Sequence, residues 1–185
     1  MNSMSFLIST LFDLYIRVVI LRIWLQAARA DFYNPFSQFI VKATQPVIAP
    51  LRRVVPSIGG IDLATVLFAY VLCVLKFVAL ILVASGGSVS FSAEFFFLGL
   101  LSLIKAAGGL LFWVLLIRAI LSWVSQGRSP IEYVFHQLTE PMLAPIRRVI
   151  PAMGGFDLSV LVLFIGLQFA NFLIGDMIGP IWFQL

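Results

Sequence analysis

Charged residues are scarce in this sequence and make up only 11% of its 185 residues. A soluble domain carries roughly a quarter charged residues. Hydrophobic residues make up 62% and the mean hydropathy is +1.09, so polar residues are too few to cover a water-soluble globule. The composition therefore excludes an ordinary soluble domain and indicates an integral membrane protein.

The chain also lacks the residue clusters that most enzymes and metal proteins need. Its single cysteine, Cys73, rules out an intramolecular disulfide. Its single histidine, His136, has no companions at metal-ligand spacing. No nucleophile–base group, phosphate loop or cofactor motif is visible. We therefore expect no enzymatic activity, no metal or cofactor, and no nucleic-acid partner.

A positive charge is missing where a secretory signal peptide needs one. Residues 1–5 contain no Lys or Arg, and the apolar run that follows is interrupted by Asp13, Arg17 and Arg22. A signal peptide has the reverse arrangement. We interpret this segment as a retained membrane helix.

Long apolar stretches are what the sequence has in abundance. About 20 apolar residues span the hydrocarbon core of a bilayer. Four stretches meet this requirement, at about 6–27, 62–84, 96–124 and 157–179. They fall two by two into a first half (1–90) and a second half (91–185). The predicted fold is an all-α membrane protein with four transmembrane helices.

One block of sequence occurs twice, at residues 46–63 and 141–158. The copies are identical at 11 of 18 positions, including three prolines, an arginine pair, two glycines and an aspartate. This degree of identity at a fixed offset indicates an internal duplication. Because each half crosses the membrane twice, the halves are predicted to be parallel repeats.

The basic residues predict the orientation of these repeats. The segments 28–61 and 125–156 hold seven Lys or Arg residues, whereas 85–95 and both termini hold none. Cytoplasmic loops are enriched in Lys and Arg. We therefore expect the duplicated blocks in the cytoplasm and both termini on the opposite side of the membrane.

Each block is preceded by an amphipathic pattern. Asn34-Pro35 and Ser129-Pro130 are typical of helix N-termini. The apolar residues that follow lie at helical spacing, and they are Phe36, Phe39, Ile40 and Ala43 in the first copy and Ile131, Val134, Phe135 and Leu138 in the second. These helices are too short to span, so we predict that they lie on the cytoplasmic membrane surface.

Physical roles can be assigned within the block. The first two prolines end or kink the surface helix, and the second opens a turn that presents the arginines. The third proline closes this turn, the glycines allow a reversal, and the aspartate caps the next span. These residues are Pro46, Pro50, Arg52, Arg53, Pro56, Gly59, Gly60 and Asp62, and then Pro141, Pro145, Arg147, Arg148, Pro151, Gly154, Gly155 and Asp157. Two interpretations stay open, a rigid topology-setting turn and an anionic site formed by both arginine pairs. Phospholipid headgroups are the expected ligand of such a site.

Charges within the predicted spans are functional candidates, because they are costly in a bilayer. Asp13 and Arg17 are four residues apart and are predicted to pair. Arg22 and Arg118 occupy nearly matching places in the two halves and are expected to extend toward the cytoplasmic interface. Lys76 and Lys105 are expected to extend toward the opposite interface.

The doubled block carries a family resemblance. Two hydrophobic halves, each with P-x-x-x-P-x-R-R-x-x-P-x-x-G-G-x-D, resemble the YggT family of bacterial inner-membrane proteins, whose plastid and Gram-positive relatives are called YlmG. The resemblance covers essentially the whole chain. The family block continues as D-x-S-P, whereas the second copy has Val160 for the proline and the first has Ala64-Thr65.

The resemblance implies a role in potassium homeostasis and osmotic-stress tolerance. Plastid members are associated with cytochrome assembly and nucleoid distribution, and Gram-positive members with cell-division genes. We expect the ion effect to be indirect, because the charges within the spans are mostly basic and no T-V-G-Y-G-like filter is present. The alternative is a non-catalytic scaffold that uses its arginines to bind anionic lipid or a membrane-protein partner. A homo-oligomer is also compatible with the sequence.

Overall fold

The structure is a computed structural model that describes residues 2–58, 60–88, 92–124, 129–150 and 157–185. All regular elements of this part of the chain are helices. In chain order they are α1 (Ser3–Ala27), α2 (Pro35–Leu51), α3 (Leu63–Ala84), α4 (Glu94–Val124), α5 (Pro130–Val149), α6 (Leu158–Ile178) and α7 (Ile181–Gln184). The same order of long, intermediate and long helix occurs in both halves.

Four of these helices are long and apolar enough to cross a membrane, as the sequence predicts. They are α1, α3, α6 and the Glu94–Leu121 part of α4. Less than a third of each span is buried inside the protein. The remaining apolar surface is what a bilayer would cover, because a lipid-facing helix needs no polar outer face.

The core lies where α1, α3 and α4 pack together. Buried apolar residues of α1, such as Val19 and Leu25, contact Cys73 of α3 and Val114 of α4. Helices α3 and α4 pack tightly at Gly99, where an added Cβ would lie 2.5 Å from a methyl group of Val74. Helix α6 packs on α4, α5 and α7 and lies at the edge of the bundle.

Helices α2 and α5 continue through the prolines that were predicted to end them. Pro46 and Pro50 lie inside α2, and Pro141 and Pro145 lie inside α5. Each proline removes one backbone donor. In each pair the second proline follows the first by four residues, so the lost donors fall on one face of the helix. Neither helix ends at its first proline, but α2 ends at Leu51, one residue after its second.

The apolar residues of α2 and α5 are divided between the protein interior and the exposed surface. In α2 Ile40 is buried and Phe39 is 63% exposed. In α5 Val134, Phe135 and Leu138 are buried and Ile131 is exposed. The buried face of α2 also carries Thr44, which accepts a hydrogen bond from Arg22 on α1, and the periodicity of apolar residues does not predict that contact.

The two halves meet at the end of the bundle that carries α2 and α5. The indole of Trp24 donates to the carbonyl of Leu138 over 3.1 Å. The amide of Asn34 donates to the carbonyl of Pro130 over 2.7 Å, so the start of α2 is bonded to the start of α5. Asn34 also caps α2 by accepting from the Phe36 amide. These contacts join α1 and the start of α2 to α5.

Candidate functional site

An ion pair joins the end of α2 to the start of α3. Arg52 donates from Nε to Asp62 Oδ2 over 2.7 Å, and its Nη2 donates to the same oxygen. The Thr65 hydroxyl donates to that oxygen over 2.5 Å. Asp62 is only 1% exposed, so the pair holds a buried carboxylate. We call Arg52 and Asp62 the first clamp.

The chain between the two residues of the first clamp makes a tight reversal. Ile58 and Ile61 exchange backbone hydrogen bonds of 3.1 and 3.0 Å. Gly60 between them has a φ of 84°, which a residue with a side chain rarely adopts. Pro56 precedes the reversal and lies outside any helix, while Gly59 lies outside the described residues. The clamp thus closes a compact loop of about ten residues.

The second half has the same ion pair. Arg147 donates from Nε and Nη2 to Asp157 Oδ2 over 3.0 and 2.5 Å. The Nη1 group of Arg147 also binds both oxygens of Glu140, over 2.8 and 3.0 Å. Pro151, Gly154 and Gly155, for which the sequence predicts the turn, lie outside the described residues. We call Arg147 and Asp157 the second clamp.

The two aspartates cap their helices differently. Asp157 precedes α6 and accepts from the Ser159 amide over 3.1 Å and from the Ser159 hydroxyl. Asp62 occupies the matching position before α3 but makes no side-chain capping bond, so that prediction was wrong for the first copy. Thr65 replaces the missing serine by donating to the other carboxylate oxygen. Asp62 Oδ1 is buried without a hydrogen-bond partner in the described part of the chain.

Both clamp carboxylates are held in the ionised form. Burial alone would raise the pKa of Asp62, but hydrogen bonds from Arg52 and Thr65 outweigh it and lower the pKa below its ordinary value. The pKa of Asp157 is lowered in the same way, against burial, by Arg147 and Ser159. The paired Asp157 in turn raises the pKa of Arg147.

The second arginine of each pair has a different environment. Arg53 and Arg148 are exposed, next to Arg52 and Arg147, which bind carboxylates of their own half. No ion pair to Arg53 or Arg148 occurs among the residues that the structure describes. Hence the first arginine of each pair is bound within the chain, and the second has its charge available to an external anion.

Arg22 is buried against α2, and the sequence does not predict this contact. It is 4% exposed. Its Nη1 donates to Thr44 Oγ1 over 2.6 Å and to the Val41 carbonyl over 3.3 Å, and its Nη2 donates to Gln45 over 2.7 Å. The residue therefore ties α1 to α2, because α2 supplies three acceptors within reach of the guanidinium.

Arg118 makes the matching tie between α4 and α5. It donates to the Thr139 hydroxyl and, over 3.3 Å, to Glu140. Glu140 binds Arg147 as well, and it lies 3.3 Å from His136 Nε2. Sequence reasoning missed this carboxylate and its partners. The signal was present, since Thr-Gln-Pro and Thr-Glu-Pro stand at corresponding positions at the start of the duplicated blocks.

The two halves differ in charge at this end of the bundle. The first-half group has two arginines and one carboxylate (net +1), and the second has two of each (net zero). These groups are Arg22, Arg52 and Asp62, and then Arg118, Arg147, Glu140 and Asp157. The difference is one residue, Gln45 in place of a glutamate.

A further ion pair lies within the membrane-spanning part. Lys76 on α3 is buried, and its Nζ is 2.8 Å from Asp13 Oδ1 on α1. The Ser9 hydroxyl also donates to Asp13. The predicted pairing of Asp13 with Arg17 was wrong, as was the expectation that Lys76 extends outward. Asp13 faces α3, so its carboxylate meets Lys76 there. Arg17, four residues along α1, is exposed.

Lys105 on α4 also turns inward, contrary to expectation. It donates to the backbone carbonyl of Trp182, and its Nζ lies 5.5 Å from the centre of the indole ring. Trp182 belongs to α7, which folds back so that this side chain is 2% exposed and its Nε1 donates to Asn171 over 2.9 Å. The return occurs at Gly179, whose φ is 94°.

Comparison with known proteins agrees with the resemblance carried by the doubled block. The family model described as CCB3/YggT matches residues 1–83 and 97–178. The chain is 91% identical over 185 residues to "Uncharacterized protein in proC 3'region" of Vibrio alginolyticus, with both chains fully covered. It is 53% identical over 178 residues to "Uncharacterized protein YggT" of Escherichia coli strain K12, covering 96% of this chain and 92% of that one.

A more distant relative from Haemophilus influenzae is 39% identical over 182 residues, which cover 98% of this chain and 97% of the other. No solved structure gives a significant match. The match to the family model extends over both halves and therefore over both clamps. The chain belongs to the CCB3/YggT family.

Proposed function

We propose that this chain is a non-catalytic scaffold of the bacterial inner membrane. Its two halves are parallel repeats, with α2 and α5 lying on the cytoplasmic membrane surface and both termini in the periplasm. The distribution of Lys and Arg supports this orientation. The exposed Phe39 on α2 and Ile131 on α5 support the surface position, because an interfacial helix turns apolar residues toward lipid.

The observation that carries the proposal is that the two arginines of each pair have different environments. Arg52 and Arg147 bind aspartates of their own half and so fix the turns. Arg53 and Arg148 are exposed beside them. Each exposed guanidinium therefore lies next to an arginine that fixes the turn of its own half, and we call Arg53 and Arg148 together the arginine surface. An anionic phospholipid headgroup is the ligand that this surface fits.

The scaffold proposal is tested by lipid binding of purified protein. The double variant Arg53→Gln/Arg148→Gln is compared with Arg29→Gln/Lys42→Gln, which removes the same charge from exposed positions at the same end. We expect the first variant to lose about 2 kcal/mol of binding to phosphatidylglycerol vesicles, some thirtyfold, and to lose more than the control. Equal losses in both variants would mean that net charge, and not the duplicated block, determines binding.

The potassium and osmotic role that the family resemblance implies is, in this proposal, indirect. Asp13, the carboxylate within α1, is already paired with Lys76. The cavity between α4 and α6 is lined by Lys105, whose charge repels cations. We therefore expect reconstituted protein to give no potassium flux above that of empty vesicles under a voltage or osmotic gradient. A protein-dependent potassium flux would contradict the scaffold proposal.

A further inference from the structure

A cavity of about 290 Å³ lies between α4 and α6 of the second half, at a distance along the helices from the second clamp. Trp182 of α7 and Lys105 of α4 line it, together with the side-chain amides of Gln168 and Asn171 on α6. Trp113 also lines it and is 49% exposed. The cavity therefore opens on the outer side of the bundle, which in a membrane-spanning helix pair faces lipid.

The corresponding place in the first half is filled. There Lys76 on α3 binds Asp13 on α1. The duplication offset of 95 puts Asn171 where the first half has Lys76. At the same offset Gly108 corresponds to Asp13 of the first half. At an offset of 96, which relates Arg22 to Arg118, Gly109 corresponds to Asp13. The second half thus has a glycine where the first half has the carboxylate, and both glycines line the cavity.

The second half has a cation at a different position, Lys105, which corresponds to Thr10 of the first half at the offset of 95. Its ammonium binds the Trp182 carbonyl and faces the indole ring. In the described part of the chain no carboxylate lies within ion-pair distance of it. A lysine within an apolar span is costly without a counter-charge, and a carbonyl supplies only a partial one.

We propose that the cavity between α4 and α6 binds an anionic phospholipid, whose headgroup phosphate takes the place that Asp13 occupies in the first half. Lys105 supplies the opposite charge. The amides of Gln168 and Asn171 supply hydrogen-bond donors to the remaining oxygens. The exposed face of Trp113 contacts the glycerol and the first part of the acyl chains. This site is separate from the arginine surface.

The role of the Lys105 charge is tested by two variants, one that removes this charge and one that neutralises it with a carboxylate of the protein. Lys105→Ala removes the cation, and Gly109→Asp places an internal carboxylate four residues from Lys105. An added Cβ at Gly109 meets no atom within 4 Å, so the aspartate fits. Both variants should lower the preference of purified protein for phosphatidylglycerol over phosphatidylcholine by about fivefold. Native mass spectrometry of protein equilibrated with mixed micelles measures this ratio.

Three controls make the result specific. Lys105→Arg keeps the charge and should keep the preference. Gly109→Asn adds nearly the same volume as Gly109→Asp without a charge, and it should retain more of the preference. Arg53→Gln/Arg148→Gln tests the arginine surface alone, so the part of the preference that depends on Lys105 should persist in that variant.

The outcomes that overturn the proposal are defined by the same measurements. A folded Lys105→Ala protein with the wild-type lipid preference would overturn it, as would a Gly109→Asp protein that binds phosphatidylglycerol like the wild type. Inorganic phosphate at millimolar concentration should not displace the lipid. If phosphate alone displaces it, the cavity binds a free anion and the assignment to a lipid is wrong.

Discussion

Arg147 reaches across the turn between α5 and α6 and binds Asp157, with Nη2 2.5 Å from Oδ2. Arg52 and Asp62 make the same bond in the first half, with the same separation of ten residues in the chain. The arginine pair of the duplicated block thus has two functions. Its first member closes a turn inside the protein, and its second member faces outward. Four predictions follow from these and the neighbouring contacts.

Arg52 and Arg53 should differ sharply in their effect on stability, although they are adjacent. Arg52→Ala leaves the buried Asp62 without its cation and should lower the free energy of unfolding by about 3 kcal/mol. Arg53→Ala should change it by less than about 0.5 kcal/mol, because Arg53 is exposed. Thermal unfolding in mild detergent measures both. Similar losses for the two variants would mean that the clamp does not hold the turn.

The clamps should weaken in acid. The pKa values of Asp62 and Asp157 are lowered below the ordinary value of 3.8, so their contribution to stability is present above that pH. It should be lost as the pH falls further, through the lowered native pKa values. The double variant Asp62→Asn/Asp157→Asn should be less stable at neutral pH and should show a smaller decrease below pH 3.8. A decrease of wild-type size in that variant would assign the acid sensitivity to other carboxylates.

A single substitution in either half can give its group of charged residues the net charge that the group in the other half has. Glu140→Gln should cost about 1–3 kcal/mol, because Arg118 and Arg147 both lose a charged acceptor. Gln45→Glu, at the matching position, should add stability of about 0.5–1 kcal/mol by placing a carboxylate next to Arg22. Thermal unfolding at low and high salt checks both. A destabilising Gln45→Glu would show that the first half does not tolerate the charge balance of the second.

The ion pair between α1 and α3 is suited to a double-mutant cycle. Asp13→Leu or Lys76→Met alone leaves one charge without its partner inside the bundle and should cost about 3–5 kcal/mol. The double variant should be markedly more stable than the sum of the two losses predicts, because two apolar side chains pack where the ions were. Additive losses would mean that the two charges do not depend on each other.

Much of the architecture could be predicted from the sequence alone. The four spans appear because about 20 consecutive apolar residues have no other stable environment than a bilayer. The turn chemistry of the block was also readable, since Gly60 adopts the positive φ that its position requires. The continuation of α2 through Pro46 could not be predicted from the sequence. A proline shows that one backbone donor is missing, but it does not show whether tertiary packing keeps the helix intact.

The partners of the charged side chains were the main failure of sequence reasoning. Asp13 was assigned to Arg17, its neighbour on one helix, whereas it binds Lys76, 63 residues away in the chain. Arg22 was expected to extend toward the cytoplasmic interface, and Lys76 and Lys105 toward the opposite one, whereas each of the three binds a group on another helix. Local spacing describes which groups share a helix face, but it does not describe which face of another helix lies opposite.

By itself, the sequence determined how many helices are long and apolar enough to span a membrane, the repeated block and the family, since all of these depend on composition and on residues close together in the chain. Only the tertiary structure decided which arginine of each pair is bound to an aspartate, that Thr65 replaces the missing serine, and that a cavity stands where Asp13 has no counterpart. These features depend on distances between helices. Such distances are set by the packing of many side chains together, so no single segment contains them.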